Sequence, residues 1–114
     1  MFKVFSGKGF QITFENGYTI STMFDTLNYC KNKELGETSY DKTYKHAELT
    51  ECINAEIAIW ENDKDGNRYL WVTKQAYESI EGEEAHDDVE GWVTTDKWLR
   101  YINWTADRTA GVNK

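Results

Sequence analysis

The sequence predicts an α+β fold: an antiparallel sheet of two hairpins plus a short strand, with one face covered by a C-terminal helix. Three observations predict it. Two pairs of alternating apolar runs are each broken by a turn built from Asn, Asp and Gly. No proline occurs in the 114 residues, so no Pro-rich linker divides the chain and a single domain is expected. A stretch near the C-terminus has apolar residues at helical spacing.

The first hairpin is read from GFQITFENGYTISTMF. Phe10, Ile12 and Phe14 alternate with Gln11 and Thr13. After Asn16-Gly17, Tyr18, Ile20 and Thr22 alternate with Thr19 and Ser21. Asn-Gly between alternating runs favours a tight hairpin because both residues tolerate positive φ. Phe2 to Phe5 adds a strand through the turn Ser6-Gly7-Lys8-Gly9. In the second hairpin Ile53, Ala55, Ile57 and Ile59 alternate with Asn54, Glu56 and Ala58. A turn over residues 62–67 leads into the β-rich run Arg68 to Thr73. Gly91-Trp92-Val93 reads as the short strand.

Thr94-Thr95-Asp96 carries the hydroxyl caps and first-turn acid of a helix start. From Thr95 to about Asp107, Trp98, Leu99, Ile102, Thr105 and Ala106 form the expected core stripe. Trp104 then falls on the opposite face with Lys97 and Arg100, and Tyr101 on the flank. A Trp, a Tyr and an Arg outside the core stripe fit a partner's hot spot. A long polar connection over residues 25–50 separates the hairpins, with a short helix expected from Ser39 to Leu49, and residues 108–114 are expected to fray.

Charge is concentrated in one place. ESIEGEEAHDDVE, residues 78–90, has seven acids and no Lys or Arg; without it the other 13 acids match the 13 basic residues, so the net charge of -7 sits in this expected loop. Glu81, Glu83, Glu84, Asp87, Asp88 and Glu90 would attract a basic patch on another protein and speed encounter with it. The negative balance argues against nucleic acid as a direct partner, which needs a basic stripe. No apolar run is long enough to cross a membrane. MFKVFSGKGF lacks an apolar leader core, and two cysteines, Cys30 and Cys52, fit a reducing interior, so a cytoplasmic location is expected.

No motif specifies chemistry. Asp63-Lys64-Asp65-Gly66 lacks the remaining ligands of a calcium loop and reads as a turn. Ser6-Gly7-Lys8-Gly9 lacks the spacing of a phosphate loop. Cys30, His46, Cys52 and His86 have no close pair of the kind that forms half a zinc site. His86 beside Asp87 has no nucleophile to activate. No catalytic residue, metal site or cofactor is expected, and the chain is read as a non-enzymatic protein. A free sheet edge leaves homo-oligomers open.

The segments FSGKGFQITFENGYTIST, NYC, NAEIAIWENDKDG and VEGWVTTDKWLRYINWTADR resemble a family of small proteins encoded by tailed phages and prophages. The resemblance runs from Phe5 to about Ala106 and brings no active site with it. It implies an accessory phage protein in the bacterial host cytoplasm, of a kind that binds and disables a host factor. The leading expectation is therefore an inhibitor, with a defence protein as one class of target. It would grip a basic host protein through the acidic loop, the aromatic helix face, or both. The alternative is a small-molecule binder such as a sponge for nucleotide signals. There Tyr29, Tyr40, Trp71 and Trp92 would stack on bases, and Lys31, Lys33, Lys42 or Arg100 would meet phosphates.

Overall fold

The computed structural model describes residues 1–4, 8–34 and 50–109. Residues 5–7, where the first strand is expected to end and its turn to begin, the helix expected from Ser39 to Leu49 and the tail from residue 110 lie outside the described residues. Among the described residues six strands and two helices form an α+β fold with an antiparallel sheet. The alternating runs give β1 (Phe2–Val4), β2 (Gly9–Thr13) and β3 (Tyr18–Met23), each paired antiparallel with the next. The turn between β2 and β3 needs Gly17, whose φ is 88°. Its neighbour Asn16 works on both sides: Oδ1 accepts from the Tyr18 amide (3.0 Å), and Nδ2 donates to the carbonyls of Thr105 and Arg108 (both 2.9 Å). One turn residue thus closes a hairpin and holds the far end of the chain's last helix.

The organising element is β4 (Asn54–Asn62). One edge pairs with β3 over Glu56 to Glu61. The other edge is divided between β5 (Arg68–Trp71), opposite Trp60 to Asn62, and β6 (Glu90–Thr94), opposite Asn54 to Ile57. Between these two partners the Ile59 amide donates to Thr73 Oγ1 (2.8 Å), and the Ile59 carbonyl accepts from the Val72 amide (2.8 Å). A hydroxyl and one backbone amide replace the missing strand, so the central ladder has no orphaned group at Ile59.

Two helices cover one face of the sheet. The first, α1 (Thr73–Glu81), begins at the last residue of the expected β-rich run and takes in the start of the expected acidic loop. It buries only Thr73 and Ala76 fully, with Ile80 packed against the core, too few apolar residues to display a 3.6 period. Glu78 and Glu81 are therefore helical, Gly82 ends the helix, and Glu90 begins β6, so the expected acidic loop of residues 78–90 is shorter than the charge pattern suggests.

The second helix, α2 (Thr95–Ala106), starts at Thr94, whose hydroxyl accepts from the Lys97 amide (3.4 Å), with Asp96 in the first turn. Its buried stripe is rotated from the expected one. Tyr101 and Thr105 are fully buried, Trp98, Ile102 and Trp104 pack against the core, and Leu99 is 54% exposed. The reason is that α2 packs against α1 as well as against β3 and β6, so it buries a second flank that a one-sided stripe does not anticipate. Trp98 Nε1 donates to Thr22 Oγ1 (2.8 Å), and its ring meets Phe10 edge-on, which fixes the helix across the first hairpin.

The core comprises Ile20, Ile57, Ile59, Val72, Ala76, Val93 and Tyr101. The Tyr101 hydroxyl has no hydrogen-bond partner among the described residues. Burial, reinforced by Glu90, Glu81 and Tyr77, pushes its ionisation well above the usual tyrosine range. Tyr101→Phe should raise stability by about 1 kcal/mol in urea unfolding, since an unpaired buried hydroxyl is a net cost. The folded-state pKa is the higher one, so wild-type stability falls as pH climbs past the ordinary tyrosine range, and the variant should lessen that fall. Lower stability for Tyr101→Phe would show that the hydroxyl is bonded after all.

Candidate docking site

The first part of the long connection is built onto the sheet. Asn54 and Glu56 are two apart on β4, so both side chains leave the face opposite the helices. Asn54 Oδ1 accepts from the Lys31 amide (2.7 Å), and Glu56 accepts from the Tyr29 amide (2.9 Å) and from Asn28 Nδ2 (3.4 Å). Asn32 Nδ2 donates to the carbonyls of Phe24 (2.8 Å) and Glu51 (3.1 Å). Cys30 is buried beside Cys52, and burial pushes its thiol up to about 11, so it stays protonated at neutral pH.

Tyr29 thereby meets β6. The register between β4 and β6 shifts between Ala55 and Ile57, and Trp92 has a φ of 51°. That left-handed conformation is unusual for a bulky residue and is retained only where its surroundings impose it. The surroundings are visible. The Trp92 amide donates to the Tyr29 carbonyl (2.8 Å), and a Cβ on Gly91 would lie 2.7 Å from Tyr29 Cβ, so only glycine lets the two segments approach this closely. The Tyr29 and Trp92 rings pack at 5.8 Å, with Lys33 Nζ 5.4 Å from the Tyr29 ring centre. Yet Trp92 remains 56% exposed and Tyr29 43%, and the same end of the sheet exposes Leu27 and Ile53.

The acidic segment runs directly into this strand, and several of its carboxylates serve the fold. Glu78 Oε2 accepts from the Ala85 amide (3.1 Å), Glu83 Oε2 from the Tyr77 hydroxyl (3.1 Å), and Asp87 Oδ1 from the Asp88 amide (2.7 Å). Glu81 pairs with Lys97 at 3.1 Å. Glu90 is half-buried: burial raises its pKa, Lys97 opposes that, and Glu81 and Asp87 add to it. Glu83, Glu84, Asp87 and Asp88 face solvent just ahead of Trp92.

The expected helix face does not assemble as an aromatic anchor. Lys97 is tied to Glu81, and Arg100 is exposed. Tyr101 is wholly buried, and Trp104 is half-buried against the core, with the Arg108 guanidinium 4.1 Å from its ring centre and Arg108 Nε donating to its carbonyl. Of the residues expected to hold a nucleotide, Tyr29, Trp92 and Lys33 come together. Trp71 lies at the other end of β4 beside Trp60, Lys31 pairs with Glu34 at 2.8 Å, Arg100 is on α2, and Tyr40 and Lys42 lie outside the described residues. The signals for the Tyr29–Trp92 pair were Gly91 and the polar positions 54 and 56, but their meaning depends on which segment crosses them.

Among the described residues no group of three or more His, Cys, Asp and Glu side chains is placed to hold a metal ion, and no helix is long and apolar enough to cross a membrane. The Asp63 carboxylate accepts from the amides of Asp65 and Asn67 (both 2.9 Å), which makes residues 63–67 a self-satisfied turn. The chain matches no protein-family model, no curated protein and no solved structure.

Proposed function

We propose that the chain is a non-enzymatic protein-binding module that docks on a basic surface of another protein through Trp92 and Tyr29, flanked by the acidic segment. The observation that carries this reading is Trp92: a large aromatic side chain kept 56% exposed on a left-handed backbone, locked in place by Tyr29. The contact with Tyr29 covers only part of the ring, and a partner that buries the exposed remainder would offset the strain retained there. Glu84, Asp87 and Asp88 add the field that steers a basic partner onto the anchor. The resemblance to phage accessory proteins makes that partner a protein of the bacterial host, in its cytoplasm, which the chain inhibits or redirects.

The test is capture from bacterial lysate at two salt concentrations, followed by kinetics on the retained protein. Trp92→Ala should weaken binding about 30-fold or more, mainly through faster dissociation, as for a buried aromatic anchor. Exchanging Glu84, Asp87 and Asp88 for Asn or Gln should slow association and flatten its salt dependence. Trp104→Ala serves as the control for the helix face. A partner held equally well by Trp92→Ala and lost with Trp104→Ala would overturn this placement of the anchor.

A further inference from the structure

We propose that the sheet carries a second site, at the opposite end of β4 from Trp92, that binds a nucleotide-sized phosphate ester. A cleft of about 590 Å³ opens on the face away from the helices, between β2, β3 and the turn after β4. That volume is in the range of small-molecule sites and far exceeds what a bare inorganic anion fills.

The floor of the cleft is organised in advance. Trp60 Nε1 donates to Asn62 Oδ1 (3.1 Å), and Asn62 Nδ2 donates to the Gly17 carbonyl (2.9 Å) and to Thr19 Oγ1 (2.7 Å). Thr19 and Thr13 share a hydroxyl–hydroxyl bond of 2.7 Å. The direction of that last bond follows from burial. Thr19 is only 2% exposed, so a hydroxyl hydrogen not used towards Thr13 would be stranded in the interior. Thr19 therefore donates to Thr13, and the Thr13 hydroxyl, which lines the cleft, has its own hydrogen left to offer. The chain of bonds from Trp60 ends in a donor directed to whatever occupies the space.

The wall is cationic in a protein whose net charge is -7. The Arg68 guanidinium lies over Trp71 (4.4 Å to the ring centre) and Trp60 (5.2 Å), and it forms no ion pair or side-chain hydrogen bond among the described residues. Stacking occupies the face of the guanidinium and leaves its N–H edge available, the geometry that receives a phosphate in two-point contact. Lys64 and Lys3 line the same cleft. Among the described residues that line it the one acid, Asp63, is already turned to the amides of its own turn. A phosphate on the Arg68 edge, a hydroxyl-bearing sugar over Thr13 and a flat ring along the wall account for volume, charge and donors together.

The experiment is thermal unfolding and calorimetry of the full chain with a panel of linear and cyclic nucleotides at millimolar concentration, and with inorganic phosphate alone. At least one nucleotide should raise Tm, and phosphate at equal concentration should not. Arg68→Lys keeps the charge but loses the two-point contact, and should weaken that nucleotide roughly tenfold. Lys64→Ala, on an exposed turn where folding is not at stake, should weaken it as well. No shift with any nucleotide, or affinities unchanged in both variants, would overturn the proposal. Equal shifts from nucleotide and phosphate would reduce the site to a general anion contact and overturn the ligand class. Because Trp92 is at the other end of β4, either site can fail without the other.

Discussion

Replacing Ile59 with Ala is expected to lower stability by about 2–5 kcal/mol, among the largest losses available in this protein. Ile59 is 0% exposed, at the point where β4 passes from its pairing with β6 to its pairing with β5. Its side chain faces Ile20 across the ladder, and Ile20 faces Ile12 in turn, so three strands contribute to one apolar row beneath the helices. The backbone bonds from Ile59 to Thr73 and Val72 persist in the Ala variant, which restricts the loss to the side chain and the space it leaves. With Thr73 and Val72 holding the backbone in place, the site collapses poorly, which favours the upper half of the range. Urea unfolding followed by tryptophan fluorescence measures it. The control is Ile53→Ala, at a site 72% exposed, which should fall within about 0.5 kcal/mol of wild type. Comparable losses in both would show that the core is not centred on β4.

The antiparallel sheet was legible because its signals are local. Period-two alternation and Asn16-Gly17 act over a handful of residues, and the sheet forms where they stand. The helix α1 was not legible, because Ala76 and Ile80 alone make no stripe and Thr73 looks like the end of a strand, whereas its hydroxyl is spent on Ile59. The same limit displaced the aromatic anchor. Single-helix periodicity phases Trp104 outward and Tyr101 to the side, but α2 packs against α1 and two strands, and that second neighbour draws Tyr101 inside and brings Trp104 against the core. The concentration of acids in residues 78–90 was plain from the sequence. That Glu78, Glu81 and Glu83 bond within the fold was not, because their partners Ala85, Lys97 and Tyr77 are selected by the turn at Gly82 and by helix packing. The basic cleft was the least visible feature of all. Lys3 lies at one end of the chain and Lys64 and Arg68 in the hairpin after β4, and only the register of the sheet brings the two segments to one place.

Trp92→Gly is expected to separate stability from binding. Removing a well-packed core Trp ordinarily costs about 3–5 kcal/mol. At position 92 three smaller quantities compete. Relief of the left-handed backbone returns about 1–2 kcal/mol. Loss of the contact with Tyr29 removes about 0.5–1.5 kcal/mol, and the freedom of a glycine in the unfolded chain removes up to about 1 kcal/mol more. The balance is close to zero, so the urea midpoint should move by an amount equivalent to about 1 kcal/mol or less while binding to the proposed partner is lost. Trp92→Ala keeps the strain, loses the ring, and should be the less stable of the two by about 1 kcal/mol. That order, glycine above alanine in stability with both deficient in binding, belongs to a residue held in a costly conformation for the sake of its exposed side chain. A loss of several kcal/mol for Trp92→Gly would instead identify Trp92 as part of the packing between β6 and the segment around Tyr29, and the partner surface would have to be sought in the acidic residues alone.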